Sequence, residues 1–395
     1  MDILILTHFT STFSETDNDR FLYIAKELAK DHSIEILTSD FCHEKKSHRN
    51  KTENEWPFKV TFLREKGYPK NVCLRRFYSH FLWGLEVNRY LRKRKKPDAV
   101  YCAVPSLTGP YMAAKYCKRN NIHFIIDLQD LWPEAFQMIV HLPLLCKIVF
   151  WPLQKYADEI YRRADDVVAV SSTYVERVLR VNDNILCAKA VYLGTDLTTF
   201  DDNAKISTGF VKCDGEFWLG YCGTLGTSYD IKCVIDALAY LKEHHMACPK
   251  FIVMGDGPLK TEFEAYATNK TIDAYFLGRI PYNKMCSILS QCDMTVNPIV
   301  GSSVASIINK HADYAASGLP VINTQNSKEY RSLVEKYGMG INIPSGDYIE
   351  VAKAIEKLCG DDTLRKQMGQ GARKCAKECF DRKCTYKNIV ELILK

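Results

Sequence analysis

The stretch from Val296 to Thr324, VNPIVGSSVASIINKHADYAASGLPVINT, constrains the chain more than any other. Two apolar, β-type runs, MTVNPI and LPVINT, bracket a small-residue loop (Gly301, Ser302, Ser303) and a helix that closes at Gly318. A helix entered from such a loop aims its free N–H groups and the positive end of its dipole at whatever lies above, so a phosphate site is expected here. Lys310 and Asp313 lie three residues apart near the middle of that helix and share one face. A cation for a phosphate and a carboxylate for two vicinal hydroxyls would together hold a nucleotide by diphosphate and ribose. The same spacing also suits an ordinary surface ion pair.

The remainder of the chain repeats the alternation. ILILTHF, FLYIAKELAK and SIEILTSD read β-α-β, the unit of a parallel sheet, and the loop between the first two lacks G-x-G-x-x-G. Its polar residues His8, Thr10, Ser14 and Asn18 are expected at the carboxyl end of that sheet, where ligands bind. HFIIDLQDLWPEAF runs from a strand into a turn carrying Asp127, Asp130, Trp132 and Glu134. Carboxylates there suit sugar hydroxyls or the removal of a proton, while Asp130 or Glu134 would equally serve as a helix cap. Periodicity fades between Asp196 and Gly215, which marks a domain boundary. FWLGYCGTLG then opens a second strand, glycine turn and helix, and KFIVMGDGPLK repeats it, with Lys260 within reach of an anion above the sheet edge.

At 395 residues the chain exceeds what one core usually accommodates. A hydrophobic fraction of 47% with 25% charged residues excludes disordered and collagen-like classes. A net charge of +6 without a nucleic-acid motif argues against nucleic acid as a partner. The sixteen cysteines have no C-x-x-C pair, so they read as reduced, mostly buried thiols of a cytoplasmic protein rather than zinc ligands. Met1 to Leu6 reads directly as a strand, so no signal peptide is expected, and no apolar run nears the ~20 residues a bilayer span requires. Residues 74–96 hold Lys/Arg at 75, 76, 89 and 92–96 against Glu86 alone, interleaved with Phe77, Phe81, Trp83, Leu85 and Tyr90. That composition fits a helix lying on an anionic membrane surface, and also a core-facing helix with a solvated basic end.

Four segments together resemble the retaining glycosyltransferases of family 4: DLWPE (130–134), YLGTDLTTF (192–200), MGDGPLK (254–260) and NKHADYAASGLPVI (309–322). DLWPE is similar to members that build bacterial capsule, O-antigen and exopolysaccharide chains. The resemblance spans nearly the whole chain and implies a GT-B fold, α/β, with two Rossmann-like, doubly wound parallel-sheet domains facing across a cleft. Its expected parts are an acceptor-binding domain at 1–198, a nucleotide-sugar donor domain at 199–365, and a helical tail at 366–395 packing back on the first domain. It implies donor contacts from Gly223, Thr224, Gly226, Lys260, Lys310 and Ser303 to the diphosphate, Arg279 and Ile280 beside the base, and Asp313 on the ribose. Asp130, Glu134 and Lys310 are the expected catalytic residues.

The implied reaction moves a sugar from a nucleotide-diphosphate donor to a hydroxyl of a lipid-linked or oligosaccharide acceptor, with the leaving diphosphate as base. No metal or cofactor enters, and the location is cytoplasmic, on the inner face of the membrane through 74–96. Two positions depart from the pattern: Ala305 stands where the family has its first Glu, and Gln129 where many members have a His. They keep open a GT-B epimerase or nucleotide-sugar hydrolase, and a non-catalytic membrane-surface subunit of the same fold.

Overall fold

The computed structural model describes residues 1–10, 19–49, 56–71, 73–134, 143–301 and 307–395, the side chains of 143–149 aside. The chain forms two compact units, Met1–Tyr192 with Tyr386–Lys395, and Leu193–Thr385.

Unit 1 is built on a parallel sheet of β1 (Asp2–Leu6), β2 (Ser33–Ser39), β5 (Lys59–Leu63), β6 (Ala99–Val104), β7 (His123–Leu128), β8 (Asp166–Ala169) and β9 (Cys187–Ala190), in the order β5-β2-β1-β6-β7-β8-β9. A small antiparallel pair, β3 (Phe41–Cys42) with β4 (Ser47–His48), follows β2. AVYCAV of β6 is buried throughout, as expected of a strand covered on both faces. The connecting helices are α1 (Arg20–Leu28), α2 (Leu74–Lys93), α3 (Thr108–Asn120), α4 (Pro143–Arg162) and α5 (Ser172–Leu179). Asp19 caps α1 by accepting from Phe21 and Leu22 N–H, and α2 and α3 approach closely where a Cβ on Gly109 would lie 2.2 Å from the Trp83 ring.

Unit 2 repeats the plan. Its parallel strands β10 (Trp218–Cys222), β11 (Lys250–Met254), β12 (Ala274–Gly278), β13 (Met294–Asn297), β14 (Val321–Asn323) and β15 (Gly340–Asn342) are ordered β12-β11-β10-β13-β14-β15. Its helices are α6 (Leu197–Ala204), α7 (Ile231–Glu243), α8 (Lys260–Asn269), α9 (Tyr282–Leu289), α10 (Asn309–Ser317), α11 (Lys328–Tyr337), α12 (Tyr348–Gly360), α13 (Asp362–Cys375) and α14 (Arg382–Thr385). The last helix, α15 (Lys387–Ile393), belongs to unit 1, where Ile389, Leu392 and Ile393 join the core around Phe21, Leu22 and Tyr101. Residues 366–385 stay with unit 2, because α13 packs against α10 and α11.

The stretch expected to be an unstructured boundary contains α6. Asp196 caps it from Thr199 N–H, and only Leu197 and Phe200 are buried, too few apolar positions to give a periodic signal. Each sheet reverses its strand order at one place, between β1 and β6 in unit 1 and between β10 and β13 in unit 2. Ligands of such sheets bind outside the carboxyl ends of the strands at that reversal.

Candidate functional site

In unit 2 the reversal gathers three loops. Gly223 follows β10 with φ +142, and a Cβ there would sit 3.0 Å from Lys310 Nζ and 3.3 Å from Tyr221 Oη, so only glycine fits without displacing the lysine. The loop after β11 is stitched beneath it: Gly223 N–H donates to Met254 O (3.0 Å), Leu225 N–H to Asp256 O (2.9 Å) and Leu259 N–H to Leu225 O (3.0 Å). The third contributor is α10, which begins at Asn309 after extended Ile308 and closes on left-handed Gly318. Lys310 therefore stands in its first turn rather than at its middle. Residues 302–306 lie outside the described residues, and with them Ser303 and Ala305.

Lys310 is buried, and among the described residues its Nζ has no hydrogen-bond partner. It lies between the rings of Tyr221 and Tyr229, 4.1 Å from each centroid, and forms no ion pair with Asp313. Burial lowers its pKa to about 7. An ammonium with two aromatic faces, no anion and a glycine loop at its side is built for a ligand anion. Beneath the helix start, His311 accepts from Ile308 N–H, contacts Asn297 Nδ2 at 3.1 Å and stacks on Tyr330 at 3.4 Å. Asn297 also donates to Asn323 and Gln325, so a buried polar layer fixes the ends of β13 and β14 under Lys310.

Asp313 turns the other way. It is half-buried, accepts from Tyr282 Oη at 2.8 Å, and that hydroxyl also meets Thr195 Oγ1 at 2.6 Å. Burial raises the Asp313 pKa to about 6. Lys260 opens α8, pairs with Glu264 at 3.5 Å and reaches toward Gly278, directly before exposed Arg279 and half-buried Ile280. Thr224 is exposed, its carbonyl accepting from Tyr221 Oη, and Gly226 closes the turn by accepting from Tyr229 N–H. The sequence pattern points to the glycine loop and Lys310; Tyr221, Tyr229, Tyr282 and His311 carry no signal apart from the fold around them.

In unit 1 the reversal holds a hydrogen-bonded network of which only His8 is among the residues expected at this sheet end. His8, just past β1, meets Ser106 Oγ at 2.6 Å and Glu65 Oε2 at 2.8 Å. Ser39 (2.5 Å) and Ser79 (2.7 Å) also donate to Glu65. His8 stacks on Trp83 at 3.9 Å, and the Nε2 of buried His80 has no partner among the described residues. One ligand atom each from His8, Glu65 and His80 falls within 4.8 Å of the others, so these three are where an ion could be held. Glu65 already accepts three hydrogen bonds, which gives the group a complete role as a buried polar layer.

Asp127 is committed inside the core of unit 1 and is not open to a sugar. It is fully buried, paired with Arg20 (2.8 Å), and accepts from Tyr101 Oη at 2.5 Å. Asp130 accepts from Leu131 N–H (2.9 Å) and Trp132 Nε1 (3.2 Å), and burial raises its pKa. Glu134 accepts from Arg177 (2.6 Å) and Gln154 (3.3 Å), in a network that also includes Asp158. Gln129 Nε2 is buried and unpartnered among the described residues.

Of the basic aromatic segment, α2 buries Trp83 and ties Tyr90 to Glu35, and Arg94 pairs with Glu35 and Asp2. The exposed apolar residues Leu74, Tyr78 and Phe81 occupy its first half, and the cations Arg92, Lys93, Lys95 and Lys96 cluster at its carboxyl end and just beyond. Exposed Arg75, beside Leu74, and Lys66, over the Tyr78 ring, place cations in the apolar half as well. No described helix is long and apolar enough to cross a membrane, and every described cysteine is a free thiol.

Residues 216–361, less than half of the chain, match the family model for Glycosyl transferases group 1. An uncharacterized glycosyltransferase of Methanocaldococcus jannaschii is 24% identical over 246 residues, which are 60% of this chain and 60% of the relative, so the chain spans less than two thirds of that protein's length. Among solved structures, Anabaena HepE in complex with UDP is similar at TM-score 0.71 and 17% identity, covering 99% of both chains. Sucrose-phosphate synthase from Thermosynechococcus elongatus is similar at 0.75 and 15%, covering 99% and 98%. WaaG, a glycosyltransferase involved in lipopolysaccharide biosynthesis, is similar at 0.69 and 14%, covering 99% of both. These likenesses show the fold: two parallel-sheet, Rossmann-like domains of the GT-B kind.

Proposed function

We propose that the chain is a retaining glycosyltransferase that moves a sugar from a nucleotide-diphosphate donor to a hydroxyl of a lipid-linked glycan acceptor in surface polysaccharide biosynthesis. One observation carries the reading. Lys310 Nζ is buried without an anion at the strand-order reversal of unit 2, within the segment that matches group 1 glycosyltransferases. A donor diphosphate supplies that missing anion, and the solved HepE complexes with UDP and with UDP-glucose hold such a ligand in a similar fold.

In this reading Lys310, Lys260 and the Gly223–Gly226 turn hold the diphosphate and stabilise the charge that grows on it as the glycosidic bond breaks. Asp313 accepts the ribose hydroxyls, and Arg279 and Ile280 flank the base. No side-chain nucleophile is assigned. The leaving diphosphate takes the proton of the incoming hydroxyl, and the protein contributes position and electrostatics. Asp130 and Glu134 act on the acceptor side, and the exposed face of α2 keeps the protein at the inner membrane surface. The chemistry requires no metal.

Calorimetry with UDP-, GDP-, ADP- and dTDP-sugars tests the donor site. One selective ligand is expected, bound at least about tenfold more weakly by Asp313→Ala, the loss of a charged hydrogen bond. Equal affinity in the variant removes the ribose role, and no binding by any nucleotide removes the transferase reading. Proton NMR of the product then decides the stereochemistry, since retention keeps the anomeric coupling of the donor sugar.

A further inference from the structure

Arg76, in the first turn of α2, is a second buried cation; among the described residues no carboxylate forms an ion pair with it, and Asp130 attracts it only through space. It is 8% exposed, donates to Asn71 O (2.9 Å), also engages the Tyr68 side chain, and its Nε has no partner among them. Its guanidinium lies over Trp132 at 4.6 Å, Tyr68 at 5.5 Å and Phe9 at 5.7 Å. Lys46 shares the same Tyr68 ring at 5.2 Å and donates to His43, whose Nδ1 meets Tyr68 Oη at 2.5 Å. Two cations therefore meet over one phenol ring, while the buried carboxylate of Glu65 is committed to His8, Ser39 and Ser79.

Trp132 joins this cationic pocket to an apolar one. The same indole helps to line a cavity of about 150 Å³ with Phe77, Phe81, Leu107, Leu153 and Tyr156. Leu74, Tyr78 and Trp151, on the same two helices, α2 and α4, are exposed large apolar side chains, with Lys66 over the Tyr78 ring and Lys155 over the Trp151 ring. Cations and an apolar cavity that share the Trp132 indole match a single kind of ligand.

We propose that unit 1 binds a long-chain hydrocarbon phosphate or diphosphate, its phosphate on Arg76 and Lys46 and its first carbons in the cavity beside Trp132 and Phe81. This rests on the transferase reading above and deepens it by naming the acceptor class and the residues that hold it. An arginine fork suits phosphate oxygens, and the ligand supplies an ion-pairing anion to a buried guanidinium that otherwise has only the through-space attraction of Asp130. The aromatic faces bind the guanidinium while leaving its edge for the ligand.

The test is calorimetry of the full chain with farnesyl diphosphate, inorganic diphosphate, phosphatidylglycerol vesicles and the nucleotide sugar. Farnesyl diphosphate is expected to bind at least about tenfold tighter than inorganic diphosphate and to lose at least about tenfold in Arg76→Gln, with nucleotide-sugar binding unchanged as the control for folding. If Arg76→Gln does not fold, Lys46→Gln, at a less buried side chain, is expected to weaken the same ligand. Equal binding of inorganic diphosphate overturns the proposal in favour of a free-phosphate site, and farnesyl diphosphate binding that neither variant weakens but phosphatidylglycerol vesicles displace overturns it in favour of a membrane surface. Loss of farnesyl diphosphate in Lys310→Met instead places that ligand in unit 2 and also overturns it. Failure of the nucleotide sugar to bind while farnesyl diphosphate still does removes the donor reading alone; the converse removes this inference alone.

Discussion

Arg20 in the core of unit 1 and Lys310 at the strand ends of unit 2 are both buried cations, and they differ in what answers the charge. Arg20 is gripped by Asp127 at 2.8 and 3.2 Å, donates to the carbonyl of Val191, and lies over the ring of Tyr386. Lys310 has two tyrosine faces and, among the described residues, no anion. A protein closes the charges it uses for structure and leaves open those it uses for a ligand, because an unpaired buried charge costs stability that only function repays. By that standard Arg20 is scaffold, and Lys310 and Arg76 are the cations that the proposals above assign to ligands.

The largest expected effect tests the scaffold half of this contrast. Asp127→Ala strands the Arg20 guanidinium and removes the acceptor of the Tyr101 hydroxyl, so unit 1 is expected to lose about 3–5 kcal/mol in urea unfolding. Lys310→Met, equally buried, is expected to leave ligand-free unit 2 as stable as before or more so at pH 7, since it replaces an unpaired amine with an apolar chain of similar length. Comparable losses in the two variants would erase the distinction.

Next in size is the effect of Lys310→Met on ligand. A lost charge-assisted contact is worth about 1.5–3 kcal/mol, so nucleotide-sugar affinity is expected to fall roughly ten- to a hundredfold by calorimetry. Unchanged affinity would reduce Lys310 to a filler between two tyrosines.

These contrasts are unevenly legible in the sequence. The strand, glycine turn and helix around Gly223 and the NKHADYAASG block are local patterns, so Lys310 stands out from the sequence alone, although its spacing reads as the helix middle instead of the first turn. Asp127 groups with Asp130 and Glu134 because all three follow one strand. Nothing local reveals that the strand's own aspartate faces Arg20, 107 residues away, while the later two lie beyond the sheet. Arg76 counts among the cations of a membrane-facing helix for a similar reason. Composition over 74–96 cannot separate an inward arginine stacked on Trp132 from the cations at 92, 93, 95 and 96. His8 is expected at a sheet edge, but its partners Glu65 and Ser106 come from two other segments and share no spacing with it.

The smallest effect is one of pH, and it sharpens the contrast most. Lys310 must be charged to hold a diphosphate, and burial has brought its pKa from 10.5 down to about 7; Asp313 must be ionised to accept ribose hydroxyls, and burial has brought its own from 3.8 up to about 6. Nucleotide-sugar affinity is therefore expected to peak between about pH 6 and 7. On the alkaline side it should fall about fivefold from pH 7 to 8, following the protonated fraction of Lys310. The ligand-free protein moves the opposite way over that range. Above about 7 the unfolded chain holds the lysine proton and the folded one does not, so stability rises with pH toward 10.5, where the gain is complete. Lys310→Met should abolish both alkaline trends and leave the acid limb of binding, set by Asp313, in place. Arg20, an always-charged group closed by Asp127, contributes to neither limb. An alkaline fall in affinity that survives in Lys310→Met would assign the titrating cation elsewhere in the site, with Lys260 the next to replace.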